Sequence, residues 1–442
     1  DDRTPSRPTS VTNVPHVRAT HGAAAPRLRG EVEGYEGESG LVGSTESDHG
    51  SGRTPLDRRI TSLDGIRGLA ILLVLAHNTG SVRGDLSGVL LRGWSIISNS
   101  GWIGVQLFFA LSGFLITRIL LESKGASGWI RSFYVRRLLR IAPLYYATLI
   151  LLFGIAPHIQ AAAYLASTRG HSEAWYWLYL SNWISPWGTT VALPHVWSLA
   201  VEEQFYLFWP FLVAALSARA LGYSCGVMIL VALAARAGLD FVLPLHYADE
   251  AAYTFTITRW DAIAFGALVA IAVTTRPTTW FKPRLVVLGL IGCVVALLGV
   301  LEVEHGIASI GAPAEFVSMP VTGLGSALLV LCCAVPAFAH HGGLRWIPRV
   351  FSLRPLAWVG KYSYALYVFH MPVHLVLSHY ADHTLSNGTP SARFAMLIGY
   401  VGAVFVVSMI LALISWHLLE HPMLSLKRYF PMPTGKPRPA RA

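Results

Sequence analysis

The 442-residue sequence is short of charge: Asp, Glu, Lys and Arg together make up 13% of it, against about 25% in soluble domains. With hydrophobic residues at 53%, this excludes an ordinary soluble domain and predicts a polytopic membrane protein. Cysteine is scarce as well. The four present are Cys225, Cys293, Cys332 and Cys333, and all lie in apolar runs. Such placement excludes a disulfide framework and a thiolate metal site, and they read as small packing residues. An internal repeat strong enough to argue an inverted-repeat transporter is also missing. The net charge of +10 does not point to nucleic acid. Most basic residues fall in short loops between apolar runs, which is the positive-inside pattern.

The apolar runs set the organisation. Residues 1–58 are polar, rich in Gly, Ser, Thr and Pro, and predict a disordered cytoplasmic tail. They lack the basic-then-apolar pattern of a signal peptide. Residues 59–425 predict a membrane domain and 426–442 a basic cytoplasmic tail, with no room for a second globular domain. The fold class is all-α, a membrane helix bundle of about ten spans: 63–80, 102–121, 138–156, 200–218, 224–243, 259–275, 285–301, 321–339, 362–380 and 395–417. The 14 Trp and 17 Tyr fit aromatic belts at the two interfaces.

Charge decides the status of the aromatic stretch 175–187. With the amino terminus inside, the internal loops hold Arg118 to Arg137, Arg219, Arg276 to Arg284 and Arg345 to Lys361, and the tail holds Lys427 and Arg428. The outer loops hold Asp249, Glu250, Glu302, Glu304 and Asp382. An eleventh span at 175–187 would invert every later loop. The stretch is therefore expected to be an interfacial or re-entrant helix, with both termini cytoplasmic.

The first span is the most informative. Asp64, Arg67 and His77 lie in a run that otherwise reads as membrane helix. Ionisable side chains cost roughly 2.5–3.5 kcal/mol on insertion scales and mark functional sites by default. Asp64 and Arg67, at i and i+3, can pair on one face. The pair lowers the cost of the arginine and aims it at a phosphate or thioester oxygen. His77 suits proton transfer; its bland alternative is packing against a neighbouring helix. His370, in the ninth span, is a supporting candidate, and His370 with His374 makes a weak metal case. Arg259 and Asp261 are expected to be buried, paired with each other or with Glu202 or Glu203.

Five segments in order resemble the acyltransferase 3 family of integral membrane acyltransferases. They are LDGIRGLAILLVLAH at 63–77, GVQLFFALSGFLI at 104–116, FYVRRLLRIAPLYY at 133–146, HVWSLAVEEQFYLFWP at 195–210 and KYSYALYVFHMPV at 361–373. The resemblance covers about residues 60–420. It implies transfer of an acyl group, commonly acetyl, from a donor such as acyl-CoA to a hydroxyl of a glycan, a lipid-linked sugar or a macrolide, in the cell membrane and among its lipids. It implies His77 as general base, with Arg67 beside it. It also implies Arg137 and Arg140 as donor-phosphate residues and Phe108, from the second motif, as a donor-binding residue. Gly104 and Gly113 of that motif either allow close helix approach or make room for the donor arm. Glu202 and Glu203 are equal candidates for orienting His77 or holding the acceptor, and Trp197 and Ser198 are candidates for lining its cleft. Neither a metal nor a nucleic-acid partner is expected.

One departure stands out. The family spaces its arginine and histidine by ten residues; here nine intervene, and Asn78 occupies the expected position. At about 100° per residue, His77 lies roughly 80° off the Arg67 face while Asn78 nearly aligns with it. A π-bulge would restore the alignment. A transporter or flippase without chemistry is the alternative reading, since intramembrane charge also marks a substrate path. A structural scaffold leaves the polar residues of the first span unexplained.

Overall fold

The computed structural model describes residues 61–433, apart from 81–87, 160–162, 169, 189–191, 305–313 and 386–388. The expected disordered tail at 1–58 and the end of the basic tail lie outside the described residues. No strand occurs among the described residues. The helices are α1 (Thr61–Thr79), α2 (Val89–Ser100), α3 (Ile103–Ser123), α4 (Trp129–Leu149), α5 (Ala174–Trp177), α6 (Trp197–Ala215), α7 (Ala218–Val242) and α8 (Leu245–Thr254). They continue with α9 (Trp260–Thr275), α10 (Pro283–Glu304), α11 (Ala314–Ala334), α12 (Trp346–Phe351), α13 (Arg354–Lys361), α14 (Ser363–Leu385), α15 (Pro390–Ser415) and α16 (His421–Ser425).

Six helical stretches are long and apolar enough to cross a membrane: Val89–Ser123, Trp129–His158, Ala218–Leu239, Ile257–Thr275, Phe316–Ala334 and Pro390–Tyr429. Pro283–Gly299 is apolar but shorter. The three other expected spans fall on α1, α6 and α14, the helices that carry Arg67, Glu202 and His370. A bundle of ten spans is accordingly a proposal. Large apolar side chains remain exposed on α6, α7 and α10, among them Phe208, Phe211, Leu230, Leu288 and Val295. A surface of that kind suits lipid tails rather than water.

The stretch 175–187 forms no continuous helix. It breaks into α5 and two single 3₁₀ turns, Ser181–Trp183 and Ser185–Trp187. The aromatic residues stack on α4: the Tyr145 and Tyr179 rings lie 4.3 Å apart and those of Tyr146 and Trp177 5.9 Å apart. The expected interfacial or re-entrant helix is thus reduced to one short helix and two turns, which form an aromatic cap on α4.

Helices in lipid gain little from hydrophobic association and depend on close packing. The chain meets this with small residues at crossings. Helix α3 runs along α9, which also packs on α7 and α11, while α1 packs on α3, α13 and α14. At the α3–α9 crossing a Cβ on Gly113 would stand 2.0 Å from the Ile263 carbonyl oxygen, and one on Gly266 2.0 Å from that of Ala110. Two backbones therefore touch at reciprocal points, and this fixes where α3 presents Ser112.

Candidate active site

Five helices, α1, α3, α4, α6 and α14, enclose a cavity of about 100 Å³. Its wall is basic on α1 and α4, with Arg67 from the first and Arg137 and Arg140 from the second. Ser112 from α3, Ser198, Glu202 and Tyr206 from α6, and Tyr364 and Tyr367 from α14 complete the lining, with Phe108. A second cavity of about 210 Å³ shares Arg67, Leu115, Arg137 and Arg140 with the first and adds Arg136 and Lys427. The three arginines are thus a common wall between two chambers.

Helix periodicity accounts for the basic wall. Arg137 and Arg140 stand three residues apart on α4, so both face the same side. The Arg67 guanidinium is held by Asp64 Oδ1 at 2.9 Å, one turn earlier on α1. Arg137 lies flat over the Tyr206 ring, 4.4 Å from its centroid. Tyr206 donates to Glu202 Oε2 at 2.8 Å, and Ser112 donates to Glu202 Oε1 at 2.8 Å. Both carboxylate oxygens of Glu202 are therefore engaged inside the cavity. Glu203 is turned away from it, and its Oε1 is buried without a hydrogen bond. The two glutamates that the sequence leaves equal are distinguished by the helix: one lines the cavity and its neighbour does not.

Past the glutamate, the cavity ends on a pair of hydroxyls. Tyr367 donates to the carbonyl oxygen of His195. Its own oxygen accepts from Ser198 Oγ at 2.7 Å. Behind Tyr367 lies a group of imidazoles. The His195 ring is edge-on to Tyr367 at 4.9 Å and to His370 at 4.7 Å. His370 Nδ1 reaches the Tyr367 carbonyl at 2.7 Å, and its Nε2 meets Asn78 Nδ2 at 2.9 Å.

Helix α1 is an uninterrupted α-helix over Thr61–Thr79. No π-bulge turns His77 toward Arg67. Asn78 consequently takes the Arg67 face and reaches into the core, while His77 points sideways. The half-buried His77 ring places Nδ1 2.8 Å from the Ser98 carbonyl oxygen at the end of α2. It is not in the wall of either chamber.

The remaining expected residues fall around this centre. Gly104 lets α3 meet α1, since a Cβ there would stand 2.4 Å from the Ala70 carbonyl oxygen, and Gly113 does the same toward α9. Both glycines are packing points; neither lines a chamber. Trp197 backs the site and lies over Arg259 at 5.7 Å, with Phe109 at 5.6 Å and Tyr253 at 5.1 Å. Asp261 pairs with neither Arg259 nor a glutamate. Its partner is Arg236 on α7 at 2.8 Å, with both side chains fully buried. His374 bonds the Tyr400 hydroxyl at 2.7 Å.

Sequence reasoning passed over Tyr206, Tyr367, Arg236 and His195. Tyr206 stands four residues after Glu202, a legible i,i+4 signal. Tyr367 stands three before His370, on the same face of α14. Arg236 has no local signal, because its partner is distant in sequence; His195 opens the 195–210 segment, but its ring neighbours lie on α14.

A profile described as an acyltransferase domain matches residues 60–417. Over 389 residues the chain is 27% identical to a Bacillus subtilis protein provisionally named a peptidoglycan O-acetyltransferase, covering 84% of this chain and 56% of that protein. It is 28% identical over 336 residues to a peptidoglycan O-acetyltransferase of Listeria monocytogenes, covering 71% and 49% of the two chains. A provisionally named O-acetyltransferase of Staphylococcus aureus is 27% identical over 346 residues, covering 74% and 52%. The chain spans about half the length of these relatives. No solved structure matches it.

Proposed function

The chain belongs to the acyltransferase 3 family, and on that footing we propose that it is a membrane-embedded O-acyltransferase that moves a short acyl group from acyl-CoA to a hydroxyl of a glycan. The observation that carries this reading is the cavity itself. Three guanidiniums from two helices share its wall with a carboxylate that accepts two hydrogen bonds and with a serine–tyrosine pair. Guanidinium forks suit phosphate oxygens and hold them with charge-assisted bonds. A donor entering past Arg136 and Lys427 would set its phosphates on the arginine wall and run its thioester toward Glu202 and Ser198. With the amino terminus inside, that entrance faces the cytoplasm.

The peptidoglycan relatives support a glycan acceptor; a lipid-linked sugar or a macrolide presents the same reacting hydroxyl. A fixed bundle contributes chiefly by orienting donor and acceptor. Acyl transfer also needs a base for the hydroxyl proton. On α1 the sequence offers His77, whose ring faces the Ser98 carbonyl and lines neither chamber.

The test is release of free CoA thiol by purified, detergent-solubilised protein given acetyl-CoA, with and without solubilised peptidoglycan fragments, and mass-spectrometric detection of the acetyl ester. Release that depends on the acceptor supports the reading. Its absence with acetyl-CoA, longer acyl-CoAs and every acceptor class above would sink it and favour transport without chemistry.

A further inference from the structure

Among the described residues, His195 is a buried imidazole with no hydrogen bond to either ring nitrogen. It is 5% exposed, in the turn that leads into α6. Burying an unpaired polar group costs about 1–3 kcal/mol, and such a group calls for an explanation. The fold invests in the position nonetheless. The Tyr367 hydroxyl pins the His195 backbone, Ser198 Oγ supports Tyr367, and both hydroxyls line the cavity.

Its neighbour His370 is fully committed. A carbonyl can only accept, so His370 carries its proton on Nδ1, toward Tyr367. Its Nε2 lone pair then faces the Asn78 amide, which donates. In this arrangement His370 is neutral, and Asn78 has no proton of its own to lose or gain. A second imidazole at position 78 would have competed for the proton. Burial and the adjacent His370 hold His195 well below its usual imidazole value, opposed by backbone groups of Tyr367 and Val368. His195 is thus neutral at rest, as a proton acceptor must be, with backbone dipoles in place to favour the cation when it forms.

We infer that His195 is the general base of this chain, with Asn78 and His370 as positioning residues that keep the neighbouring imidazole neutral. The inference rests on the acyl-transfer reading and moves the proton acceptor from His77 to His195. As the acceptor oxygen attacks the thioester carbonyl, its proton passes to a His195 nitrogen. The tetrahedral intermediate collapses with loss of the C–S bond, and the imidazolium returns the proton to the departing thiolate. The products are the ester and the free CoA thiol. For the reactants to meet, the Ser198 and Tyr367 side chains must part, and a single hydrogen bond joins them.

The experiment compares His195→Gln, His77→Gln and Asn78→Asp with wild type in acetyl-CoA-dependent thiol release with peptidoglycan fragments, together with acetyl-CoA binding and monodispersity in detergent. Loss of a general base costs roughly 10²–10⁴-fold. That loss is expected for His195→Gln with acetyl-CoA binding unchanged, while His77→Gln stays within several-fold of wild type. Asn78→Asp is isosteric but cannot donate from a carboxylate, so it is expected to lower kcat and leave the acetyl-CoA KM in place. Added imidazole is expected to restore turnover to His195→Ala and not to His77→Ala. Near-wild-type turnover by His195→Gln, or a collapse confined to His77→Gln, overturns the inference while acyl transfer stands. If His195→Gln does not stay monodisperse, an unchanged kcat in Asn78→Asp overturns it. A wild type silent with every donor and acceptor overturns acyl transfer itself, and this assignment with it.

Discussion

Asn78 Nδ2 stands 2.9 Å from His370 Nε2, although 292 residues separate the two in sequence. This contact ties the C-terminal end of α1 to the first half of α14. It forms because α1 runs as a regular helix past the point where a bulge would have exchanged Asn78 for His77.

Arg137→Ala and Arg140→Ala are expected to raise the acetyl-CoA KM, with a smaller effect on kcat. A hydrogen bond to a charged group contributes about 1.5–3 kcal/mol, roughly a ten- to hundredfold change. Arg137→Lys keeps the charge but loses the flat contact with the Tyr206 ring, so it is expected to recover only part of the affinity. Steady-state kinetics with varied acetyl-CoA checks this, and an unchanged KM in both alanine variants would remove the arginines from the donor site.

The two glutamates are expected to behave differently. Glu202→Ala leaves the Ser112 and Tyr206 hydroxyls without their shared acceptor, at about 1–3 kcal/mol for a buried unsatisfied group. It also empties a position in the cavity wall. Glu203→Ala removes a carboxylate whose Oε1 has no hydrogen bond. Turnover is expected to fall by more than tenfold in the first and much less in the second; the reverse order would contradict the placement of the cavity.

Arg236 and Asp261 form a fully buried ion pair. Removing one partner of such a pair costs about 3–5 kcal/mol, whereas replacing both with apolar groups is often neutral. Arg236→Met and Asp261→Leu alone are expected to lower the thermal unfolding temperature in detergent, and the double variant to regain most of the loss. Additive losses in the double variant would show that the two charges act separately.

Gly113→Ala and Gly266→Ala each place a methyl group against a backbone carbonyl. Overpacking typically costs about 1–3 kcal/mol, and here the neighbour is backbone, which cannot rotate aside. Both variants are expected to unfold at lower temperature, as read by the same thermal assay. Gly292→Ala, on α10 with open space around it, is the control expected to change little.

The sequence made the helical class legible through its scarcity of charge; the stretch 175–187, expected as an interfacial or re-entrant helix, is one short helix and two 3₁₀ turns, because its aromatic rings stack on α4. The sequence also made Asp64, Arg67, Arg137 and Arg140 legible because their partners lie within one turn or on the same face. Glu202 and Glu203 stayed equal because adjacent residues on a helix differ only by rotation, and rotation is set by packing. The twist between Arg67, His77 and Asn78 was readable as an angle, yet not its consequence, because His370 and Ser98 come from other helices. Arg236 and His195 were illegible for the same reason: each is explained only by residues distant in the chain.

The α3–α9 crossing leaves no layer of side chains between two backbones at Gly113 and Gly266. Without that layer there is nothing to slide, so the two helices form a rigid keel. Ser112 rides on it, and Glu202 is bonded to Ser112. Any breathing that admits a substrate must therefore be borne on the opposite side of the cavity, by α14 and its Tyr367. Spin labels on α3 and α9 are expected to hold one distance through a turnover cycle, while a pair on α3 and α14 broadens or shifts.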